Sequence, residues 1–258
     1  MLKYCRRSVL SMARKGKRGK GDLFFDVIIV ILLCVIAFSL FKVASILNEY
    51  QKGTREYKQI AKDADLKLEE NRLHIDWKAL KKKNSDVKAW IYSKGTVINY
   101  PVVQGDDNSF YLHRLLNKEY NFKGTLFIDY RVERPFDDFN TIIYGHRMKD
   151  GSMFKPLVKY REEDYYRKHK VMQLATPKHQ YDLKIFAAVT IPARSSMYKC
   201  AFGTRKEKEA YLEKIREKNV LTTDVHVSAN DRIVMMSTCT YEFDNARVVV
   251  YGKLIEKD

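Results

Sequence analysis

The sequence predicts a mainly β protein with peripheral helices: a closed eight-stranded β-barrel, preceded by N-terminal helices and one transmembrane helix. Three observations predict this fold. Eight short segments after residue 86 are rich in β-branched and aromatic residues, which is typical of strands. An apolar run lies near the N-terminus, and helical periodicity fills the interval before the first strand. Closure into a barrel is favoured because it leaves no exposed strand edge.

The formal net charge of +16 is divided between a short tail and the main body. Residues 1–46 carry nine Lys or Arg and two Asp, which accounts for +7 and leaves +9 for residues 47–258. Such a surface can meet nucleic acid, an anionic membrane or an anionic cell wall. The sequence has no zinc-finger spacing or other nucleic-acid motif, so we expect no nucleic-acid partner.

The apolar run occupies residues 23–41 and is interrupted only by Asp26. Its nineteen residues reach about 28 Å as a helix, which matches the hydrocarbon thickness of a bilayer. Basic residues precede it, so we predict a cytoplasmic tail at 1–22, a transmembrane anchor at 23–45 and an extracellular remainder. A cleaved signal peptide is the alternative, although this run exceeds the usual apolar core of about 7–15 residues.

Residues 46–85 form a predicted helical N-terminal extension. A second short helix is predicted within "DWKALKKKN", with Asp76 as its N-cap before Trp77. The first helix is predicted from apolar residues that recur at intervals of three and four and form one stripe: Ile46, Leu47, Tyr50, Tyr57, Ile60, Ala61 and Ala64.

Residues 86–258 are predicted to form a single barrel domain. Its strand-like segments are "AWIY", "TVINYPVV", "GTLFID", "NTIIYGH", "VMQLAT", "YDLKIFAAVTIP", "DRIVMMSTC" and "ARVVVYGKLIE". Turn residues separate several of them, and helices are predicted at 107–117, 152–168 and 204–218.

Two of the four cysteines, Cys200 and Cys239, belong to the predicted outer domain. Two cysteines are too few for a disulfide framework, while a single bridge between them stays open. The outer cysteines and the histidines show no C-x-x-C or H-x-x-x-H spacing, so no metal or cofactor is expected. Cys239 is predicted to be a free thiol, either as part of the core or as a nucleophile.

Three polar residues stand at the ends of predicted strands. Cys239 closes one strand, His146 follows "NTIIY", and Arg247 opens the last strand. Strand ends at a barrel mouth are where polar groups can meet a substrate. A histidine can exchange a proton with a thiol, and an arginine can stabilise an oxyanion. A buried histidine and a surface arginine without such roles are the alternatives at this point.

Four stretches of the chain resemble the sortase family, and within it the class B transpeptidases. In order they are residues 77–112, "KGTLFIDYR", "NTIIYGHRM" and "DRIVMMSTCTYEFDNARVVVYGKL", and the resemblance covers residues 77–258. It implies a sortase-type barrel, an uncleaved membrane anchor and an extracellular site. The catalytic set that it implies is His146, Cys239 and Arg247. Positions where class B enzymes contact the sorting peptide fall on Asn108, Leu112 and Ser237.

The class B assignment rests on the predicted helix "TRKEKEAYLEKIREKN", which stands in the connection leading to the cysteine strand. The chain lacks the Asp-Pro-aromatic motif of pilus-building class C enzymes. It departs modestly from the family pattern at Met235-Met236, where leucine often precedes Ser-Thr-Cys, and at Ser85, where proline is frequent.

The resemblance implies a membrane-anchored cysteine transpeptidase. Such an enzyme cuts a C-terminal sorting signal after threonine, through a thioacyl intermediate on Cys239, and transfers the surface protein to an amine of a peptidoglycan precursor. The implied signals are Asn-Pro-x-Thr-Asn or Ser/Asn-Pro-x-Thr-Gly. Alternatives are a pilin-polymerising sortase with a lysine acceptor, a catalytically silent cell-surface binding barrel, and a secreted cysteine hydrolase.

The ionisation state of the Cys–His pair stays open in the sequence. Reference pKa values of about 8.5 for cysteine and about 6.5 for histidine favour the neutral pair over the ion pair about a hundredfold. Either Arg247 narrows this gap electrostatically, or only a small fraction of molecules is competent at any moment.

Overall fold

The computed structural model describes residues 20–69 and 72–257. Helix α1 spans Lys20–Asp63, and the chain divides into two units after residue 48. In the first unit its large apolar side chains are exposed, and the helix is long and apolar enough to cross a membrane. Most of the predicted cytoplasmic tail, residues 1–19, lies outside the described residues, so its location stays a prediction.

The last turns of α1 belong to the second unit and pack on the barrel. Tyr57 and Ile60 are buried there, so the C-terminal part of the predicted apolar stripe forms the contact. The Tyr57 hydroxyl donates to the Gly124 carbonyl and lies 3.0 Å from Thr125 Oγ1. Residues 49–63 are therefore an integral part of the second unit.

Residues 67–69 and 72–74 differ from the predicted helical extension, because they form two antiparallel strands: β1, Lys67–Glu69, and β2, Arg72–His74. The chain leaves α1 through Asp65, whose φ of 46° lies in the left-handed region. The Gln180 side chain then holds β2: its Nε2 donates to the Leu73 carbonyl (2.8 Å), and its Oε1 accepts from the Leu73 amide (2.9 Å). A long-range clamp of this kind overrides local helix propensity.

Helix α2, Trp77–Lys83, follows β2. Its N-cap is Asp76, as predicted, since Asp76 Oδ1 accepts a hydrogen bond from the Ala79 amide at 2.9 Å. The single buried residue of this short helix is Leu80, which joins the main core.

Eight strands form the closed barrel, which confirms the predicted fold class. Around the barrel their order is β10-β8-β7-β3-β4-β5-β6-β9, and the β9–β10 pairing completes the closure. The pairs β4–β5 and β6–β9 are parallel and the others antiparallel. The strands are β3 Val87–Tyr92, β4 Asn99–Val103, β5 Leu126–Ile128, β6 Asn140–Tyr144, β7 Val171–Ala175, β8 Gln180–Pro192, β9 Ile233–Cys239 and β10 Ala246–Glu256.

Of the three predicted intervening helices, the first two are shorter or less regular than the sequence indicates. Residues 107–117 contain only a 3₁₀ turn, Phe110–His113, and residues 152–168 contain a 3₁₀ helix, Lys155–Arg161, followed by α3, Glu163–Lys168. Helix α4, Arg205–Lys218, matches its prediction closely and is capped by Thr204, whose side chain accepts from the Glu207 amide.

Strand β9 is buried on both faces. Val234 and Met236 pack in the barrel core, whereas Ile233 and Met235 join a second core cluster beneath α4. Burial on both faces explains why this strand is continuously apolar rather than alternating. The end of β9 is consequently held on a rigid support, and Cys239 is its last residue.

Candidate active site

The three strand-end residues predicted to do chemistry meet at one end of the barrel. Strand β6 runs parallel to β9, and β10 runs antiparallel to it, so the C-terminal ends of β6 and β9 lie beside the start of β10. Arg247 and Cys239 are direct partners in the β9–β10 register. His146 lies two residues after the end of β6. The residue between them, Gly145, donates its amide to the Ser237 carbonyl of β9 (3.1 Å).

Strand alternation turns these side chains toward the same side. Successive side chains of a strand point to opposite faces, so Ser237 and Cys239 share one face with the directly opposed Arg247. Together they line a cleft of about 260 Å³ that is open to solvent on one side. The full lining is Asn108, Leu112, Phe127, Tyr144, Gly145, His146, Ala193, Tyr198, Ser237, Cys239 and Arg247. All six predicted site residues thus lie around one cavity.

Cys239 and Cys200 are both free thiols, so the bridge left open by the sequence is not formed. Burial raises the pKa of the Cys200 thiol to about 11, which keeps it protonated at neutral pH. Cys200 is therefore a poor nucleophile, and of the two thiols of the second unit only Cys239 lines the cleft.

The His146 ring is oriented by a backbone carbonyl. Its Nε2 lies 2.7 Å from the Leu112 carbonyl oxygen. A carbonyl only accepts, so Nε2 carries the proton and Nδ1 holds the lone pair of the neutral ring. Burial lowers the pKa of His146 below its ordinary 6.5; the bond to Leu112 opposes this, and the His113 ring reinforces it. Near neutral pH the imidazole is therefore largely uncharged.

Arg247 presents its charge to the cleft without a carboxylate partner among the described residues. Its Nη1 donates to the Ala246 carbonyl at 2.9 Å, which leaves the other donors of the guanidinium group for a ligand. A permanent cation directly opposite the thiol can stabilise negative charge that develops on an oxygen near Sγ.

The three predicted peptide-contact residues occupy different walls of the cleft. Asn108 is held by the backbone, since its Oδ1 accepts from the Tyr130 amide (3.1 Å). Leu112 lies in the 3₁₀ turn Phe110–His113, and its own carbonyl oxygen orients the His146 ring. The Ser237 hydroxyl lies 2.8 Å from the Tyr198 hydroxyl.

Two tyrosines of the cleft were missed in the sequence. Tyr198 stacks on Tyr144 with ring centroids 5.8 Å apart. The Tyr144 hydroxyl donates to Asp129 (2.9 Å), which is fully buried and also bound through two nitrogens of Arg131. Burial opposes ionisation of Asp129, but these hydrogen bonds outweigh it and lower its pKa. Tyr144 could have been found in the sequence, because it stands two residues before His146 in "YGH". Tyr198 lies in an irregular segment that has no periodic pattern, so no signal in the sequence indicates it.

His113, the last residue of the 3₁₀ turn, stacks on His146. The two rings lie 5.7 Å apart with an interplanar angle of 27°. A second imidazole at this distance disfavours protonation of His146, which adds to the effect of burial.

Gly145 is required at the turn between β6 and His146. A Cβ there would overlap the Leu126 side chain and lie 2.6 Å from Phe154 Cδ2. We expect Gly145→Ala to destabilise the fold by about 1–3 kcal/mol, as overpacking does in a dense core, and to displace His146. Urea unfolding measures the first effect and peptide cleavage the second. The control is Gly203→Ala, where the nearest atom is 3.8 Å from the added Cβ, so it should leave both unchanged.

The arrangement has a known counterpart. Residues 93–255 match the sortase domain. The chain belongs to the sortase family. Sortase B of Listeria monocytogenes is 38% identical over 180 residues, 69% of this chain and 73% of the relative. These relationships place this sortase in class B and make it a transpeptidase of a family that acts on surface proteins bearing sorting signals and on peptidoglycan precursors.

Solved structures agree with this assignment. A Staphylococcus aureus sortase B–substrate complex superimposes with a TM-score of 0.73 at 29% identity, covering 81% of this chain and 99% of the other. A sortase B from B. anthracis gives a TM-score of 0.72 at 34% identity, covering 82% of this chain and 100% of the other. The likeness therefore extends beyond the barrel into the N-terminal part of the second unit.

Proposed function

We propose that this sortase cleaves a C-terminal sorting signal after threonine and transfers the surface protein to a peptidoglycan amine, with His146, Cys239 and Arg247 as its catalytic residues. One observation carries the proposal: Cys239 and Arg247 are direct cross-strand partners in the cleft that His146 also lines. A thiol, a proton carrier and a fixed cation are the groups that acyl transfer through a thioester requires.

In the first half-reaction, Cys239 Sγ bonds to the threonine carbonyl carbon, and the C–N bond to the next residue breaks. His146 carries the thiol proton to the departing amine. In the second half-reaction the acceptor amine attacks the thioester, a new C–N bond forms, and the sulfur leaves. The proton lost by that amine returns to sulfur through His146. Arg247 faces the oxyanion of both tetrahedral intermediates.

The sorting peptide would lie along the wall formed by Asn108, Leu112 and Ser237. Class B membership favours signals of the Asn-Pro-x-Thr-Asn or Ser/Asn-Pro-x-Thr-Gly type. Tyr144 and Tyr198 add an aromatic surface to the same cleft, which suits an apolar or proline side chain of the signal.

The proposal is tested with a panel of sorting peptides and the full-length chain in detergent. We expect cleavage after threonine for at least one of the two signal types, and a shift of product from acid to amide when an amine is added. Product that stays entirely acid at saturating amine would identify a hydrolase instead. Preference for a lysine side chain of a pilin over a peptidoglycan amine would identify the pilus-building alternative.

We further propose that α1 anchors the enzyme in the membrane as a single pass, with a cytoplasmic N-terminus and the barrel outside. The exposed apolar length of α1 and the basic residues that precede it support this topology. In intact cells a membrane-impermeant thiol reagent should label Cys239 but not Cys5 of the tail. Labelling of Cys5 alone would reverse the proposed orientation.

The lowered pKa of His146 predicts a pH dependence. As pH falls, activity should persist below 6.5, where an ordinary histidine would already be half protonated, and decline as pH passes through the depressed value. The acid limb of the kcat/KM profile for one peptide measures this. A limb at or above 6.5 would show that the buried environment of His146 is not kept in the working enzyme.

A further inference from the structure

A lysine outside the cleft carries a charge into the interior of the second unit. The Lys123 side chain is only 1% exposed. Its Nζ lies 2.7 Å from the Asp150 carboxylate and donates to Thr54 Oγ1 at 2.6 Å. A buried ammonium is costly unless it is paired and hydrogen-bonded, so these two partners fix its position.

The first partner connects Lys123 to the loop that begins at His146. This loop closes at its base, because the Phe154 amide donates to the His146 carbonyl (2.9 Å). Its tip is turned by Asp150, whose Oδ1 accepts from the Ser152 amide (3.0 Å), while its other oxygen binds Lys123. The Lys123 ammonium therefore fixes Asp150 at the tip of the loop, and His146 lies at the base of the same loop.

A second connection runs through the backbone that follows Lys123. The Thr125 amide donates to the Tyr111 carbonyl (3.0 Å). Gly124, with φ 60°, packs so closely that a Cβ would overlap the Leu112 carbonyl oxygen. That oxygen accepts the hydrogen bond from His146 Nε2. Both supports of the His146 ring, its own loop and the Leu112 carbonyl, are thus linked to Lys123.

The second partner of the ammonium brings in helix α1. Thr54 lies on α1, and Gly53 permits the approach, since a Cβ there would lie 2.9 Å from Lys123 Cδ. Asn121, two residues before Lys123, donates to the Glu49 carbonyl at 3.0 Å. Residues 49–54 of α1 therefore close the polar cluster from outside the barrel.

From these contacts we infer that Lys123 is a positioning residue for His146, through which residues 49–54 of α1 hold the imidazole against the Leu112 carbonyl. The expected effect on kcat rests on the proposed function. The environment of the His146 ring can be measured without any activity. The part of α1 that continues from the proposed anchor is on this account a component of the active-site scaffold.

The test replaces Lys123 with methionine, which keeps the length of the side chain and removes its charge, in the full-length protein in detergent. Misplacement of a catalytic group by a distant change can cost up to about 100-fold, so we expect kcat to fall about tenfold with little change in KM. The histidine signals in NMR give the second readout. His146 stacks on His113 and lines the same cleft as Cys239 and Arg247. Its titration midpoint should rise toward 6.5 as the ring becomes more hydrated.

The matched control is Lys83→Met, which removes another lysine that ties α1 to the body of the protein. Lys83 Nζ lies 2.6 Å from Asp63, with both side chains 34% exposed, and this ion pair does not involve the His146 loop. We expect the control to keep the wild-type midpoint and kcat. A folded Lys123→Met variant with an unchanged midpoint and unchanged kcat overturns the inference.

A second variant, Thr54→Val, removes one acceptor of the ammonium with almost no change of shape. It should shift the His146 midpoint and kcat in the same direction by less, and an unchanged midpoint overturns the inference if Lys123→Met does not fold. If wild type cleaves no sorting peptide, the proposed function fails, while the NMR titration still decides the role of Lys123.

Discussion

Replacing Cys239 with alanine is expected to abolish cleavage of sorting peptides, with a loss of at least about 10⁴-fold in turnover. The thiol is the atom that bonds to the substrate in the proposed reaction, and no other group lining the cleft can form a thioester. The fold should be unaffected, because Cys239 is only partly buried at the end of β9. Cleavage rates are read by mass spectrometry, and stability by urea unfolding.

Cys200→Ala is the matched control for this change. It removes a thiol of the same domain that is kept protonated by burial and does not line the cleft, so activity should stay within about twofold of wild type. Retained cleavage in Cys239→Ala, or its loss in Cys200→Ala with the fold intact, would show that the nucleophile has been assigned to the wrong residue.

Arg247→Lys is expected to lower turnover by about 100- to 1000-fold, and Arg247→Ala by at least as much. Lysine keeps the charge but loses the forked donors, so it cannot reproduce the geometry from the strand position opposite Cys239. KM should change much less than kcat, because an oxyanion contact is strongest in the transition state.

Arg216→Lys on α4 provides the comparison for Arg247, since it exchanges an exposed arginine that is paired with Glu213 away from the cleft. Arg216→Lys should leave turnover unchanged. Full activity of Arg247→Lys would show that Arg247 contributes only its positive charge and not a specific hydrogen bond to the oxyanion. A rise in KM with constant kcat would assign it to ground-state binding of the peptide instead.

The barrel and its reactive end could be predicted because both have local signals. The composition of segments such as 246–256 is that of strands in any context, and all eight predicted segments pair in the barrel. The short loop between Cys239 and Arg247 allows neighbouring strands to carry both residues, but the register that makes them direct partners is seen only in the folded chain. The parallel pairing of β6 with β9 joins distant parts of the chain, and no local pattern reports it.

Other features depend on contacts that only the folded chain makes. The β1–β2 pair is stabilised by Gln180, more than a hundred residues away in the chain. Tyr198 reaches Ser237 from an irregular segment, and Lys123 is buried although lysines usually predict exposure. His113 is recognisable as a neighbour of His146 only from the 5.7 Å stacking of their rings.

The structure also bears on the ionisation question raised by the sequence. Burial and His113 lower the pKa of His146, which disfavours its imidazolium form. Expulsion of water by the peptide would strengthen the interaction of Arg247 with developing charge.

The pairing of β9 between β6 and β10 has a consequence for the order in which the protein matures. Strands β9 and β10 close the barrel, and they leave the ribosome after the other six strands, since chains are made from the N-terminus. Their non-local partners make closure a slow, late step of folding. A chain interrupted before residue 246 lacks Arg247 and leaves β8 and β9 without the strand that joins them. On the proposed catalytic assignment, activity thus begins only once β10 is in place, and a chain without β10 carries open strand edges that invite aggregation.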